Sequence, residues 1–258
     1  MSTDNNRPIK RTKTGLTILL LALLCWGSAI RTDASLTTLI NGLPQMGDLL
    51  IEMVPPDIQY FSDIIKPMLD TIRMALIGAT LGALLAFPCA LFSANNLFPK
   101  FITIPTRFVL NLLRTIPDLL LAAIFVAIFG IGLIPGIFAL TLFSFGIIAK
   151  LTYESMEAID NGPLEAMTAV GANKTQWITY GVIPQIAAPF AAYFLYSFEI
   201  NVRAAAILGL VGAGGVGIMF DHTLKLLQYA QTSMLILLTL IVVVLIDFIT
   251  TKVREQLL

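Results

Sequence analysis

Six stretches of this chain are apolar for long enough to cross a lipid bilayer, and that feature limits its fold more than any other. A hydrocarbon core of about 30 Å takes roughly 20 apolar residues in a helix, fewer where charged ends reach the interface. The stretches run over residues 15–30, 68–94, 104–130, 133–153, 182–210 and 233–251. Only Gly130, Gly132, Pro135 and Gly136 punctuate the boundary between the third and fourth, which predicts a tight turn there. The chain is 57% hydrophobic and 12% charged, against about a quarter charged for a soluble domain. It cannot coat a water-exposed globule. The fold expected is an all-α polytopic membrane protein with about six transmembrane helices.

Composition then excludes several chemistries. One histidine, His222, and two cysteines, Cys25 and Cys89, leave no basis for a zinc site or a disulfide framework. Both cysteines lie in or beside apolar stretches and read as buried thiols. A net charge of zero argues against a generally basic nucleic-acid binder. The sequence holds no G-x-x-x-x-G-K-[ST] loop, so nucleotide-driven work falls to another chain. No cofactor or metal is expected in this chain.

Orientation follows from lysine and arginine in the short flanks. Arg7, Lys10, Arg11 and Lys13 precede the first stretch, and Lys252 and Arg254 follow the last. Lys100 and Arg107 lie between the second and third, Lys150 and Lys174 between the fourth and fifth. Residues 31–66 set Arg31 and Lys66 against Asp33, Asp48, Glu52, Asp57 and Asp63. Both termini are therefore expected in the cytoplasm. The first stretch also fits a signal peptide, with a basic leader, a short apolar core and small residues near Ser28 and Ala29. Bulky Leu24 argues against a lipoprotein site at Cys25. Residues 35–60, broken by Gly42, Pro44 and Pro55–Pro56, read as short interfacial helices outside the membrane. The chain thus divides into residues 1–66 (basic terminus, first helix and extracytoplasmic segment) and a five-helix core over 67–258, with a cytoplasmic loop at 154–181.

That loop carries the most information. Glu154, Glu157, Asp160, Asn161, Gly162 and Pro163 open it, followed by Glu165-Ala166-Met167-Thr168-Ala169-Val170-Gly171 and later Ile183-Pro184. Pro163 early and Gly171 late predict a short helix that Gly171 ends or bends. Lying parallel to the membrane, such a helix presents a small-residue face to a soluble partner. An ordinary connecting helix is the plainer reading.

These residues resemble the E-A-A–three residues–Gly–nine residues–I-x-L-P loop of ABC importer permeases. Glu165, Ala166, Gly171 and Pro184 match at the required spacing, while Met167, Gly181 and Ile183 replace the second alanine, the isoleucine and the leucine. Gly181 removes apolar bulk from the final anchor. The run Tyr196-Ser197-Phe198-Glu199-Ile200-Asn201-Val202-Arg203, with the glycine-rich segment after it, is similar to the fifth span of phosphonate importer permeases, whose relatives take phosphite or hypophosphite. Asn111-Leu112-Leu113-Arg114-Thr115-Ile116-Pro117-Asp118 is similar to that subfamily's third span. Together the resemblances cover about residues 68–250. They imply a type I ABC importer permease fold, with Glu165, Ala166 and Gly171 in a coupling helix seated on the ATPase. They also imply partners: a second permease copy, a cytoplasmic ABC ATPase dimer and an extracytoplasmic substrate-binding protein, in the bacterial inner membrane. The chain would be a non-catalytic translocation subunit.

Ionisable residues at bilayer depth are costly and face a cavity or a partner. Arg73, Arg114, Asp118, Glu199, Arg203 and Asp247 qualify. At 1.5 Å per residue Glu199 lies about 25 Å, and Arg203 about 31 Å, along the fifth stretch. Glu199 and Arg203 are four apart with the acid first, the favoured order on a helix, and Arg114 and Asp118 have the same spacing with the arginine first. Two readings stay open for each pair. In one they only neutralise each other. In the other Arg73, Arg114 and Arg203 attract a small oxyanion, bidentate guanidinium geometry suiting it, while Glu199 and Asp118 hold the arginines and limit affinity. Ser197 and Asn201 are neutral donors nearby, Asn201 pointing off the Glu199–Arg203 face. Asp247 reads as interfacial.

Gly212-Ala213-Gly214-Gly215-Val216-Gly217 satisfies G-x-G-x-x-G, but a membrane helix rather than a strand precedes it, so a dinucleotide site is rejected. Close packing or bending at Gly212, Gly214, Gly215 and Gly217 is the first reading, with a gate or an anion nest as the others. Residues 220–232 read as a surface helix bearing a solvated His222. The function expected is alternating-access import of phosphonate or a related phosphorus oxyanion. The alternatives are a permease for another small solute such as an amino acid, or a proton-coupled secondary transporter using Asp118, Glu199 and Asp247 with helices broken at Pro117 and Pro184.

Overall fold

The computed structural model describes residues 7–32 and 36–257. Asp33, and the side chains of Arg7, Lys10, Arg11 and Lys13 used for orientation, lie outside what is described. Every element among the described residues is helical. Two compact units divide at Val54–Pro55, so residues 55–66 belong with the larger unit rather than with the amino-terminal segment.

The smaller unit contains α1 (Arg7–Arg31) and α2 (Leu36–Glu52). In α1 Leu16, Leu23, Leu24 and Trp26 are all more than half exposed, as expected of a helix whose surroundings are lipid. Cys25 is exposed on it, so the buried-thiol reading fails for that residue. The helix α2, with Pro44 inside, occupies the stretch expected to hold short interfacial helices.

The larger unit comprises a short 3₁₀ turn (Ile58–Tyr60), α3 (Phe61–Ser93), α4 (Lys100–Thr115), α5 (Asp118–Phe129), α6 (Leu133–Glu157) and α7 (Gly162–Ala169). These are followed by one turn of α8 (Lys174–Gln176), a π-helical stretch (Trp177–Val182), α9 (Ile183–Leu208), α10 (Val216–Lys225) and α11 (Tyr229–Leu257). Its centre is α3, α6 and α9. Small residues let α3 and α6 approach at backbone distance: a Cβ on Gly78 would lie 2.7 Å from Leu140 Cβ. Ala75, Ala79, Ala86 and Ala90 of α3 are fully buried. Close packing of small residues replaces the hydrophobic driving force that lipid cannot supply.

Among the described residues five helices are long and apolar enough to span a membrane, or six spans if α4 and α5 form one. In the third stretch the helix itself differs from the sequence expectation. It is not one helix over 104–130 but two, meeting at 85°. Pro117 has no N–H to continue α4, and the residue before a proline is driven to extended backbone; Ile116 sits at ψ 124° and Pro117 at ψ 137°. The bend leaves α4 amphipathic, with Phe101, Ile104, Phe108 and Leu112 exposed and Thr103 and Leu110 buried. The expected turn at 130–132 is present, with Gly130 at φ +83° and the Gly132 N–H donating to the Gly212 carbonyl at 3.0 Å.

Candidate functional site

Helix α7 is built as its sequence dictates. Asp160 Oδ1 accepts the Gly162 N–H at 3.0 Å, and Pro163 occupies the first turn, where a missing N–H leaves nothing unpaired. At the far end the Gly171 N–H donates to Thr168 O (3.1 Å) and the Ala172 N–H to Met167 O (3.0 Å), with Gly171 at φ +76°. That bond pair is the Schellman cap, which needs a left-handed residue. Leu164 alone of α7 is fully buried; Glu165, Ala166, Thr168 and Ala169 face outward. Trp177 Nε1 donates to Leu164 O at 3.2 Å. A cleft of about 500 Å³ lies here, lined by Asn96, Asn161, Leu164, Glu165, Thr168, Ala169 and Trp177.

Gly181 corrects a sequence expectation. It does not weaken the anchor of the loop. A Cβ there would stand 2.6 Å from Leu164 Cδ2 and 3.2 Å from Met167 Sδ. The space a side chain at 181 would take is filled from the facing side by Leu164 and Met167, so the loop keeps an apolar contact there.

Arg203 and Arg254 converge on Glu199, whose side chain is only 6% exposed. Arg203, one turn on, donates to its Oε1. Arg254 of α11 donates to Oε2 at 3.1 Å, and Thr250 Oγ1 approaches the same oxygen at 3.4 Å. Arg254 also contacts Thr251 Oγ1 at 3.0 Å and lies 5.8 Å from the centre of the Tyr196 ring. One buried carboxylate thus holds two guanidiniums from two helices, and the Arg203 side chain remains 52% exposed. Sequence reasoning missed Arg254 because hydropathy assigns it to the flank of the last span; its spacing from Thr250 on one helix face was the available signal.

Of the other residues singled out by sequence, Asp247 reaches this cluster and the rest lie elsewhere. Asn201 is fully buried and donates to Ser144 Oγ (2.8 Å) and Ala75 O (3.2 Å), joining α9 to α6 and α3. Ser197 is fully buried, its hydroxyl unpartnered among the described residues. Arg73 pairs with Asp70 at 3.2 Å on an exposed face of α3. The stem of Arg114 lies against Gly146 of α6. Among the described residues Arg114 and Asp118 form no ion pair, since the break at Pro117 removes the helical spacing that would align them. Asp247 is exposed on α11, and its carboxyl reaches that of Glu199, placing a second acid at the cluster.

The glycine segment makes a sharp reversal between α9 and α10. Gly212, Gly214 and Gly215 have φ +86°, +89° and +69°, open to glycine without strain. The reversal is clamped by Thr71 Oγ1 accepting the Val216 N–H at 2.8 Å. Gly217 packs directly on Gly209. His222 is exposed.

Residues 64–255 match the family described as binding-protein-dependent transport system inner membrane component. The chain is 36% identical over 235 residues to the phosphite transport system permease protein PtxC of Stutzerimonas stutzeri, covering 91% of this chain and 84% of that one. It is 33% identical to the phosphate-import permease protein PhnE of Mycolicibacterium smegmatis over 90% of this chain and 44% of the relative. Among solved structures, an inward-facing MetNI methionine ABC transporter superposes with a TM-score of 0.66 at 20% identity, over 76% of this chain and 96% of that one. This last likeness speaks for the fold.

Proposed function

The chain belongs to the family of binding-protein-dependent transport system inner membrane components, and from that premise we propose that it carries phosphite, phosphonate or a related phosphorus oxyanion across the inner membrane. It is the permease subunit of an ABC importer, working with an ATPase and a substrate-binding protein. The likeness to a phosphite permease over 91% of the chain is the observation that carries the cargo assignment.

The cluster at Glu199 supports it chemically. Arginine binds tetrahedral oxyanions through two parallel N–H bonds, and Glu199 occupies the place of such an anion between Arg203 and Arg254. It serves as an internal counter-anion: it offsets part of the charge of two guanidiniums when no cargo is present and competes with cargo for them, so release stays fast. Arg73, Arg114 and Asp118 belong to the wider path, with Ser197 and Asn201 as its buried polar support. The half-exposed Arg203 is completed by a second copy of this chain, since a guanidinium facing lipid alone would be costly. The glycines 212, 214, 215 and 217 act as the hinge at the outer end of α9. Glu165, Ala166 and Gly171 form the ATPase contact, both termini lie in the cytoplasm, and the chain itself uses no cofactor.

The test is uptake of labelled phosphite by the complex of this chain with its ATPase and binding protein in proteoliposomes. Uptake that requires ATP and survives a protonophore is expected. Uptake abolished by the protonophore overturns the ATP-driven reading, and ATP-driven uptake of other solutes but not of phosphorus oxyanions overturns the cargo.

A further inference from the structure

A polar knot binds the ends of α3 and α6 to the body of α4 immediately before α7. Arg107 of α4 reaches across with its whole fork: Nη2 donates to Glu157 Oε1 at 2.5 Å, Nε donates to Ser93 O at 2.8 Å, and the guanidinium lies over the Tyr153 ring, 4.4 Å from its centre. Glu157 Oε1 accepts a second bond from the Asn95 N–H at 2.8 Å. Asn96 Nδ2 donates to Met156 O at 2.7 Å, filling an otherwise open carbonyl at the end of α6. Thr103 Oγ1 donates to Asn95 Oδ1 at 2.9 Å. The last turn of α6, the turn after α3 and the body of α4 are therefore one fastened unit.

The next element along the chain is α7, whose buried Leu164 shares one apolar cluster with Ala94, Leu97 and Met156 of that unit, while the loop before α7 is tied to α9 and α8 to the α3–α4 turn. Asp160 and Gln185 exchange two bonds, Asp160 N to Gln185 Oε1 at 3.0 Å and Gln185 Nε2 to Asp160 O at 3.3 Å. Lys174 Nζ sits 3.9 Å from the centre of the Phe98 ring in the α3–α4 turn. Asn96, which caps α6, also lines the cleft beside Glu165.

We infer that Arg107 and Glu157 are the positioning pair that makes α7 and the inner ends of α3 and α6 move as one body when the ATPase acts. The inference rests on the reading of α7 as the ATPase contact. A helix end is its most compliant part, because its final carbonyls have no partners within the helix. A push on α7 delivered to an unbraced α6 would fray that last turn instead of tilting the helix. Arginine is required because its planar fork makes two bonds and a ring contact at once, which an ammonium cannot do. The pair is partly exposed, with side chains 26% and 29% accessible, so its value to stability is small and its role is geometric.

The test uses the whole chain in complex with its ATPase and binding protein. Spin labels are placed on α7 and α3 through Thr168→Cys and Leu84→Cys, with Cys25 and Cys89 replaced by alanine. The distance between them is measured without nucleotide and with ATP trapped by vanadate. One narrow distance in both states is expected for the parent. In Arg107→Lys and Glu157→Gln the distribution should broaden by several ångströms on trapping. Phosphite carried per ATP hydrolysed should fall about tenfold, while stimulated hydrolysis stays within about twofold of the parent. An unchanged distance in both variants overturns the inference, as does a fall of hydrolysis and uptake in equal proportion. The label measurement needs no cargo, so a parent complex that fails to import phosphite counts against the cargo assignment and leaves the distances to decide this one.

Discussion

Arg254 donates to Glu199 Oε2 at 3.1 Å across 55 residues of sequence, and this bond brings the carboxy-terminal end of α11 onto the middle of α9. Removing one partner of a largely buried ion pair costs about 3–5 kcal/mol, because the other charge is left uncompensated. Glu199→Gln removes the negative charge between the two arginines while keeping the side chain's volume, so an oxyanion becomes the stronger partner for them. Maximal uptake is expected to fall about tenfold, and added phosphite should raise the melting temperature of the variant complex more than that of the parent. Equal shifts in the two proteins would show that Glu199 does not stand in for cargo.

Arg203 is the exposed partner of the same carboxylate. Arg203→Ala should reduce phosphite uptake by about a hundredfold, on the scale of losing a bidentate charged contact, while the complex still purifies intact. Uptake at parent levels under limiting phosphite rejects its place in the path. Arg203→Lys separates charge from geometry: recovery to parent rates would mean that a point charge suffices.

The seat of α7 is tested by adding bulk at 181. Gly181→Ile drives side-chain atoms into Leu164 and Met167, and overpacking of this kind costs about 1–3 kcal/mol. Binding-protein-stimulated ATP hydrolysis should drop about tenfold in that variant. Adding Met167→Ala, which empties the facing space, should restore part of it. If the double variant is no better than the single one, the two positions are not coupled.

Much of this architecture was legible from the sequence, and the exceptions share a cause. The spans followed from apolar length, and the α7 cap followed from Gly171, because a left-handed helix terminus selects glycine at that position. The break at Ile116–Pro117 entered only the secondary-transporter alternative, because apolar residues flank it on both sides, so hydropathy runs through while backbone geometry does not. Gly181 looked like a lost anchor because substitutions read singly conceal a contact made across space with Leu164 and Met167. Arg254 escaped notice for the same reason, since its importance lies in Glu199, a residue on another helix. The knot at Arg107 joins positions 50 to 62 residues apart, which local periodicity cannot register.

Glu165 faces outward from α7 beside the cleft. Glu165→Lys reverses the charge offered to the ATPase and should weaken its retention in pull-downs by about tenfold, close to 1.4 kcal/mol. Unchanged retention with unchanged stimulation assigns the ATPase contact to other residues.

The most direct measurement is the accessibility of a single thiol introduced as Ala166→Cys, with Cys25 and Cys89 replaced, to a membrane-impermeant maleimide in vesicles of both orientations. Labelling confined to inside-out vesicles, and suppressed when the ATPase is bound, is the result expected if α7 is the surface through which ATP hydrolysis drives this permease. Labelling from the outside, or labelling from the inside that bound ATPase leaves unchanged, contradicts it.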